Sequence, residues 1–178
     1  MLARIWPAMA ISIALLSGKV PAQDSWVQMK PIPQGANEVI GAAADGVLYV
    51  YGGERMHTQH VHGGVNLRTQ PLGMFWVYDP KTDAWTQLKP NPVPLHHAAA
   101  AAIGKKFYVF GGFRLPGTGN IGWYPGDRAW AYDTQTQIWS ELPRMPTPRG
   151  AHAAAAVGNN TTWSAGRGSR LGWTFRTA

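Results

Sequence analysis

Two short apolar runs end in a double glycine: Leu48-Tyr49-Val50-Tyr51-Gly52-Gly53 and Phe107-Tyr108-Val109-Phe110-Gly111-Gly112. Aromatic and β-branched residues bounded by glycine predict buried strands. Downstream of each come a long loop, a strand ending in Tyr-Asp, a tight turn and a Trp strand. Tyr78-Asp79 recurs as Tyr132-Asp133, Thr82 as Thr136, Trp85 as Trp139, Leu88 as Leu142 and Gly104 as Gly158, each pair 54 positions apart. The double glycines are 59 positions apart, and the difference lies in the loop between Gly-Gly and Tyr-Asp. Asp79-Pro80-Lys81-Thr82-Asp83 is turn chemistry, with a pre-set proline and side chains that cap their own backbone. Proline-rich exits after each Trp strand stop ladder pairing.

The alanine runs Ala98–Ala102 and Ala153–Ala156 favour helix by propensity. The space between Pro94 and Gly104 is short for one, and the runs are read as inner strands near an axis where only small side chains fit. Each unit then has four short strands, the blade of a propeller. One full blade is expected at about 37–89, a second at 95–143, and a partial third from 151. Ser25-Trp26-Val27-Gln28-Met29, followed by Pro31 and Pro33, reads as the Trp strand and exit of another unit.

This arrangement resembles the kelch-repeat β-propellers, on Gly-Gly after an aromatic strand, Tyr-Asp, and Trp six or seven residues later, over roughly Trp26 to Asn160. The resemblance, to bacterial periplasmic or secreted members of the galactose oxidase central-domain-like superfamily, implies an all-β, kelch-type propeller. With about two and a half blades against the roughly four to eight of a closed ring, it is expected to be incomplete. The third aromatic strand and its Gly-Gly are due at 161–166, where Thr161-Thr162-Trp163-Ser164-Ala165-Gly166 stands instead. Codons ACT ACG TGG TCG GCG GG give that peptide, and read from the third base they give Tyr-Val-Val-Gly-Gly. A frameshift near codons 158–161 that truncated a longer protein is therefore expected, with residues 167–178 an irregular basic tail. An open blade edge would invite self-association.

Charge and export change the picture in two places. Arg4, the apolar run Ile5–Leu16 and Val20-Pro21-Ala22 read as a signal peptide over residues 1–22. At about a dozen residues the run is too short to span a bilayer, which needs roughly 20. A periplasmic or secreted chain with no membrane contact after cleavage is expected. The formal charge of +7 falls to +5 without Arg4 and Lys19. Arg167, Arg170 and Arg176 carry three of those charges, so 23–166 holds only +2 and no nucleic-acid surface is expected. There is no cysteine, hence no disulfide and no thiolate nucleophile or ligand.

Candidate chemistry gathers where loops lead into and out of the strands. His57, His60 and His62 sit in the first long loop, but zinc sites take three or four protein ligands and no acid lies between Glu54 and Asp79. They are read as loop residues, and no metal or cofactor is assigned. Glu38, His96, His97 and Arg149 fall at the approaches to inner strands, Glu38 and His97 being equivalent at the 59-residue offset. Arg55 and Arg114 follow the double glycines, Trp123 and Tyr124 occupy the second long loop, and His152 lies deeper. Together they would suit a sugar or other polar anionic ligand, or a protein, at the loop face. No catalytic residue is assigned.

Family resemblance implies a binding and interaction module first. The alternative is a sugar isomerase of the sialic acid mutarotase type, with Glu38 or a histidine as general acid/base. An oxidase of the galactose oxidase type is excluded by the missing cysteine, unless the lost part of a longer protein supplied it. No Ser-His-Asp spacing and no phosphate loop are present.

Overall fold

A computed structural model describes residues 25–61, 64–114, 124–163 and 173–176, and the backbone alone at 56–61, 64–70, 161–163 and 173. The described residues form strands and no helix. The first sheet joins β1 (Asn37–Ala44), β2 (Val47–Val61), β3 (Gly64–Asp79) and β4 (Ala84–Gln87) in chain order, all antiparallel. The second joins β5 (Ala99–Ile103), β6 (Lys106–Phe110), β9 (Ala129–Asp133) and β10 (Ile138–Leu142). Between β6 and β9 a two-stranded ribbon pairs β7 (Phe113–Arg114) with β8 (Tyr124–Pro125). The third sheet joins β11 (Ala154–Val157), β12 (Asn160–Trp163) and β13 (Trp173–Arg176). These are two four-stranded propeller blades and a three-stranded third, and both alanine runs are inner strands.

Aromatic alternation fixes how the blades stack. Successive residues of a strand face opposite sides, so β6 sends Phe107 and Val109 toward the first blade and Tyr108 and Phe110 toward the third. Phe107 and Val109 join Tyr49, Tyr51, Phe75, Leu95 and Tyr132 in one buried cluster. Tyr108 and Phe110 join Ala129, Ala131 and Met145, with Phe175 packed against them. A strand buried on both faces needs apolar residues at every position, hence the unbroken runs before each Gly-Gly.

The double glycines answer a steric demand. Gly111 has φ +58°, and a Cβ there would lie 2.4 Å from the Arg149 carbonyl oxygen. At Gly52 a Cβ would lie 2.8 Å from the Leu95 carbonyl oxygen, and Leu95 is the repeat equivalent of Arg149. The first glycine of each pair thus touches the backbone leading into the next blade. The second touches its own inner strand: a Cβ on Gly53 would meet Asn37 O, and one on Gly112 His96 O, each at 3.0 Å.

The Trp strands tie each blade to the preceding exit segment. Trp139 Nε1 donates to Lys89 O at 3.0 Å and Trp85 Nε1 donates to Lys30 O at 2.8 Å, with Lys30 and Lys89 59 positions apart. Lys30 N–H also donates to Asp83 Oδ1 at 2.9 Å. Replacing Trp139 with Phe keeps most of the packing and removes the bond, so a loss of about 1 kcal/mol in denaturant titration is expected. An unchanged midpoint would show that the bond contributes nothing.

Three expectations need correction. Residues 25–29 form no strand, and Trp26 is fully exposed; among the described residues nothing pairs with them, and a lone strand leaves its backbone groups to water. The long loop after Gly53 is instead a hairpin ribbon, with Arg55 paired to Gln70, His57 to Arg68 and Val61 to Gly64. Gly63-Gly64, flanked by Val61 and Val65, was the available turn signal. Finally, the tail is not wholly irregular. Trp173-Thr174-Phe175-Arg176, three strand formers in four residues, pairs with β12, which occupies the place due for the third aromatic strand. No helix among the described residues is long and apolar enough to cross a membrane.

Candidate functional site

The polar residues that break the repeat converge where blades one and two meet, at the Gly-Gly end. Glu54 follows Gly53 and pairs by backbone with Asn37, just as Phe113 follows Gly112 and bridges His96. The first blade thus has a carboxylate where the second has a phenyl ring. His96 and His97 stand on the approach to β5, and Glu38 stands at the equivalent place in β1.

Side-chain geometry links all four. His96 Nδ1 lies 2.9 Å from Glu54 Oε2 and 2.7 Å from His97 Nδ1. His97 Nε2 lies 3.3 Å from Glu38 Oε2. The chain of groups runs inward from solvent: Glu38 is half exposed, His97 nearly covered, and His96 and Glu54 buried. The Phe113 ring packs on both imidazoles, with centroids 5.7 Å from His96 and 5.5 Å from His97. Burial raises the Glu54 carboxyl above its usual range, an effect that His97 opposes and Glu38 adds to. Burial, and then His97, lower the His96 imidazole to about 4.

Glu38 and His97 have φ of 57° and 53°, and Ala151, their equivalent in the third blade, has 52°. Left-handed backbone is uncommon for such residues. Because it recurs where only a methyl group stands, it belongs to the turn into each inner strand. The turn aims whatever side chain is there, and only the first two blades place a titratable group on it.

The other candidates divide. Arg55, Arg114 and Tyr124 are exposed at the same end, Arg114 and Tyr124 as cross-strand partners. Trp123 and His62 lie outside the described residues, as do the side chains of His57 and His60. Arg149 was expected at the mouth, but it is fully buried. Its Nη2 donates to Thr147 Oγ1 at 2.6 Å, its N–H donates to Gly126 O, and its carbonyl accepts from Gly112 N–H. It braces one blade against the next and faces no solvent. His152 sits beside it, against Gly111, and neither ring nitrogen has a hydrogen-bond partner among the described residues. Sequence reasoning missed Glu54. The available signal was its replacement of Phe113 at the repeat position.

Burial, with Arg149 adding to it, lowers the His152 imidazole to about 4. The folded chain therefore takes up its proton later than the unfolded chain, whose histidines titrate near 6.5. The stability from the neutral ring is complete above about pH 6.5 and falls as the pH drops toward 4. His96 acts in the same direction. Melting temperatures of the wild type and His152→Asn should therefore converge as pH falls from about 7 to 4. Parallel curves would exclude His152 as a contributor.

A model of the KLHDC2/KLHL20/DRC7 Kelch-repeats domain matches residues 21–173. Kelch-like protein 25 of Xenopus tropicalis is 23% identical over 158 residues, covering 88% of this chain and 24% of that protein. The human Rab9 effector protein with kelch motifs is 34% identical over 107 residues, 55% of this chain and 27% of the relative. The solved structure of YjhT superposes with a TM-score of 0.64 at 21% identity, over 81% of this chain and 48% of that one. The chain thus spans about a quarter of these curated relatives. With the repeat, the blade geometry and the matched domain in agreement, this chain belongs to the kelch-repeat family.

Proposed function

We propose that the chain is an exported interaction module that binds a partner or polar ligand at the Gly-Gly end of its blades, as part of a larger propeller. The observation that carries this reading is the concentration of polar and charged groups there. Glu38, Arg55, Arg114 and Tyr124 are solvent-facing at the end where Glu54, His96 and His97 cluster. Carboxylate, guanidinium and phenol groups on a rigid strand scaffold supply the directional contacts a partner needs. The name of the Rab9 effector relative, a protein defined by what it engages, points the same way. The test is binding of candidate acidic peptides and free sugars by calorimetry, with the double variant Arg55→Ala/Arg114→Ala. Loss in the variant with an unchanged melting temperature supports the reading. Equal binding by both moves the site elsewhere.

Export rests on the Arg4, Ile5–Leu16 and Val20-Pro21-Ala22 pattern. Secreted material should begin at Gln23, and an intact Met1 on protein recovered outside the cytoplasm would overturn the assignment. Exposed Val39 and Leu48 on the first blade would be covered in a complete ring, so self-association is part of the proposal. Sedimentation velocity tests it, and a strictly monomeric chain at high concentration counts against it.

A second reading is the sugar isomerase, favoured by the half-exposed Glu38 paired to His97, since a carboxylate–imidazole couple is a proton-transfer pair. Anomerisation of a panel of sugars, lost in Glu38→Gln, would support it. No turnover by the chain or by an intact relative would remove it.

A further inference from the structure

The geometry points to a divalent transition-metal site of the zinc class formed by Glu54, His96 and His97, clamping the first blade to the second. One ligand atom from each residue lies within 4.8 Å of the others. This inference requires no ligand at the surface; it shares Glu38 and His97 with the isomerase reading, and metal titration without sugar tells the two apart.

Proton accounting carries the argument. His96 Nδ1 makes two close contacts, 2.7 Å to His97 Nδ1 and 2.9 Å to Glu54 Oε2. A ring nitrogen offers either one proton or one lone pair. If His96 Nδ1 carries the proton, it serves one of its two acceptors. If it does not, its single lone pair faces both neighbours. No assignment of protons gives each contact its own two-centre hydrogen bond, whereas a cation accepts lone pairs from all three atoms at once.

Glu38 supports this assignment. Its Oε2 lies 3.3 Å from His97 Nε2, the ring nitrogen turned away from the cluster. A metal-bound imidazole almost always donates its other N–H to a carboxylate, carbonyl or water, which fixes the tautomer that leaves the ligating nitrogen free. With Nε2–H given to Glu38, the His97 Nδ1 lone pair faces His96 and Glu54. The carboxylate, the imidazole and its outer carboxylate are thus arranged as a metal centre requires.

The ligand set selects the class of ion. Two imidazoles and one carboxylate with no thiolate suit zinc and its neighbours, and three protein ligands leave a fourth position for water or substrate. Zinc–nitrogen bonds of about 2.0–2.1 Å at tetrahedral angles place two ligating nitrogens roughly 3.3 Å apart. The imidazoles therefore open slightly from their 2.7 Å separation when the ion enters. Glu54 belongs to the first blade and His96 and His97 to the second, so an ion here joins them and adds stability by mass action.

The test is titration of the full chain with Zn²⁺ and with Co²⁺, read by calorimetry, by the visible absorption of bound cobalt and by the melting temperature. One ion per chain, a melting temperature that rises with metal, and a nitrogen/oxygen-ligated cobalt spectrum are expected. Glu54→Gln and His97→Gln should each weaken binding at least about tenfold, and Glu38→Gln about 10- to 100-fold. Half-exposed Glu38 makes the last variant informative even if a buried replacement fails to fold. The combined variant His57→Gln/His60→Gln/His62→Gln should bind as the wild type does. The proposal is overturned if neither ion binds at micromolar concentrations, if Glu38→Gln and His97→Gln fold and bind normally, or if only the His57/His60/His62 variant loses binding.

Discussion

Replacing Phe75 with alanine is expected to cost about 3–5 kcal/mol, the range for deleting a fully buried phenyl ring. Phe75 has no solvent exposure and stands at the centre of the aromatic cluster shared by two blades. Its ring centroid is 4.8 Å from Tyr132 and 5.0 Å from Trp139, both in the second blade, and 5.9 Å from Tyr49 in its own. The cavity would open between sheets that are otherwise joined by a few hydrogen bonds such as Tyr51 Oη to Val93 O, so collapse cannot fill it without moving a blade. At about 2–4 °C per kcal/mol for a chain of this size, the melting temperature should drop by roughly 10 °C. Leu48→Ala is the control. Leu48 faces away from the cluster and is 38% exposed, so its loss should fall within about 0.5–1 kcal/mol. If Phe75→Ala costs no more than Leu48→Ala, packing between blades is not what holds them.

A comparable loss, above about 3 kcal/mol, is expected for Gly111→Ala, for a different reason. Two penalties act there and can be separated. The backbone lies at φ +58°, which costs a residue with a Cβ about 1–2 kcal/mol. In addition the new methyl group would lie 2.4 Å from the Arg149 carbonyl oxygen and 2.8 Å from Met145 Cε. Gly104 shares the conformation, φ +54°, but has nothing within 4 Å of a Cβ. Gly104→Ala therefore measures the conformational part alone, about 1–2 kcal/mol, and the excess at Gly111 measures the approach of the third blade. Chemical denaturation of both variants decides it. Equal losses would mean that the double glycine serves turn geometry only.

These two residues show how far the chain could be read by itself. Phe75 lies in Met74-Phe75-Trp76-Val77-Tyr78, and Gly111 closes the most regular motif in the chain. Their periodicity and recurrence, 54 positions for the strand of Phe75 and 59 for the double glycine, are local properties, set by strand alternation and turn chemistry. That is why the alanine-rich inner strands and the kelch family were legible in advance. The misjudged parts were those whose structure depends on a partner. Trp26 stands in a strand-like run, yet nothing among the described residues offers it a ladder. The ribbon after Gly53 and the strand Trp173–Arg176 form because β3 and β12 lie beside them, and no local preference announces a neighbour.

The candidate site divides along the same line. Spacing alone placed Glu38, His96 and His97 on the approaches to inner strands, with Glu38 and His97 at equivalent positions. That Glu54 turns inward to meet His96 across the blade boundary, and that Arg149 is walled in as a brace, follows from how the blades pack. Strand position sets which end of a sheet a side chain occupies. Whether it meets solvent or another side chain depends on how closely the next blade packs, and that is settled by contacts between residues far apart in the chain.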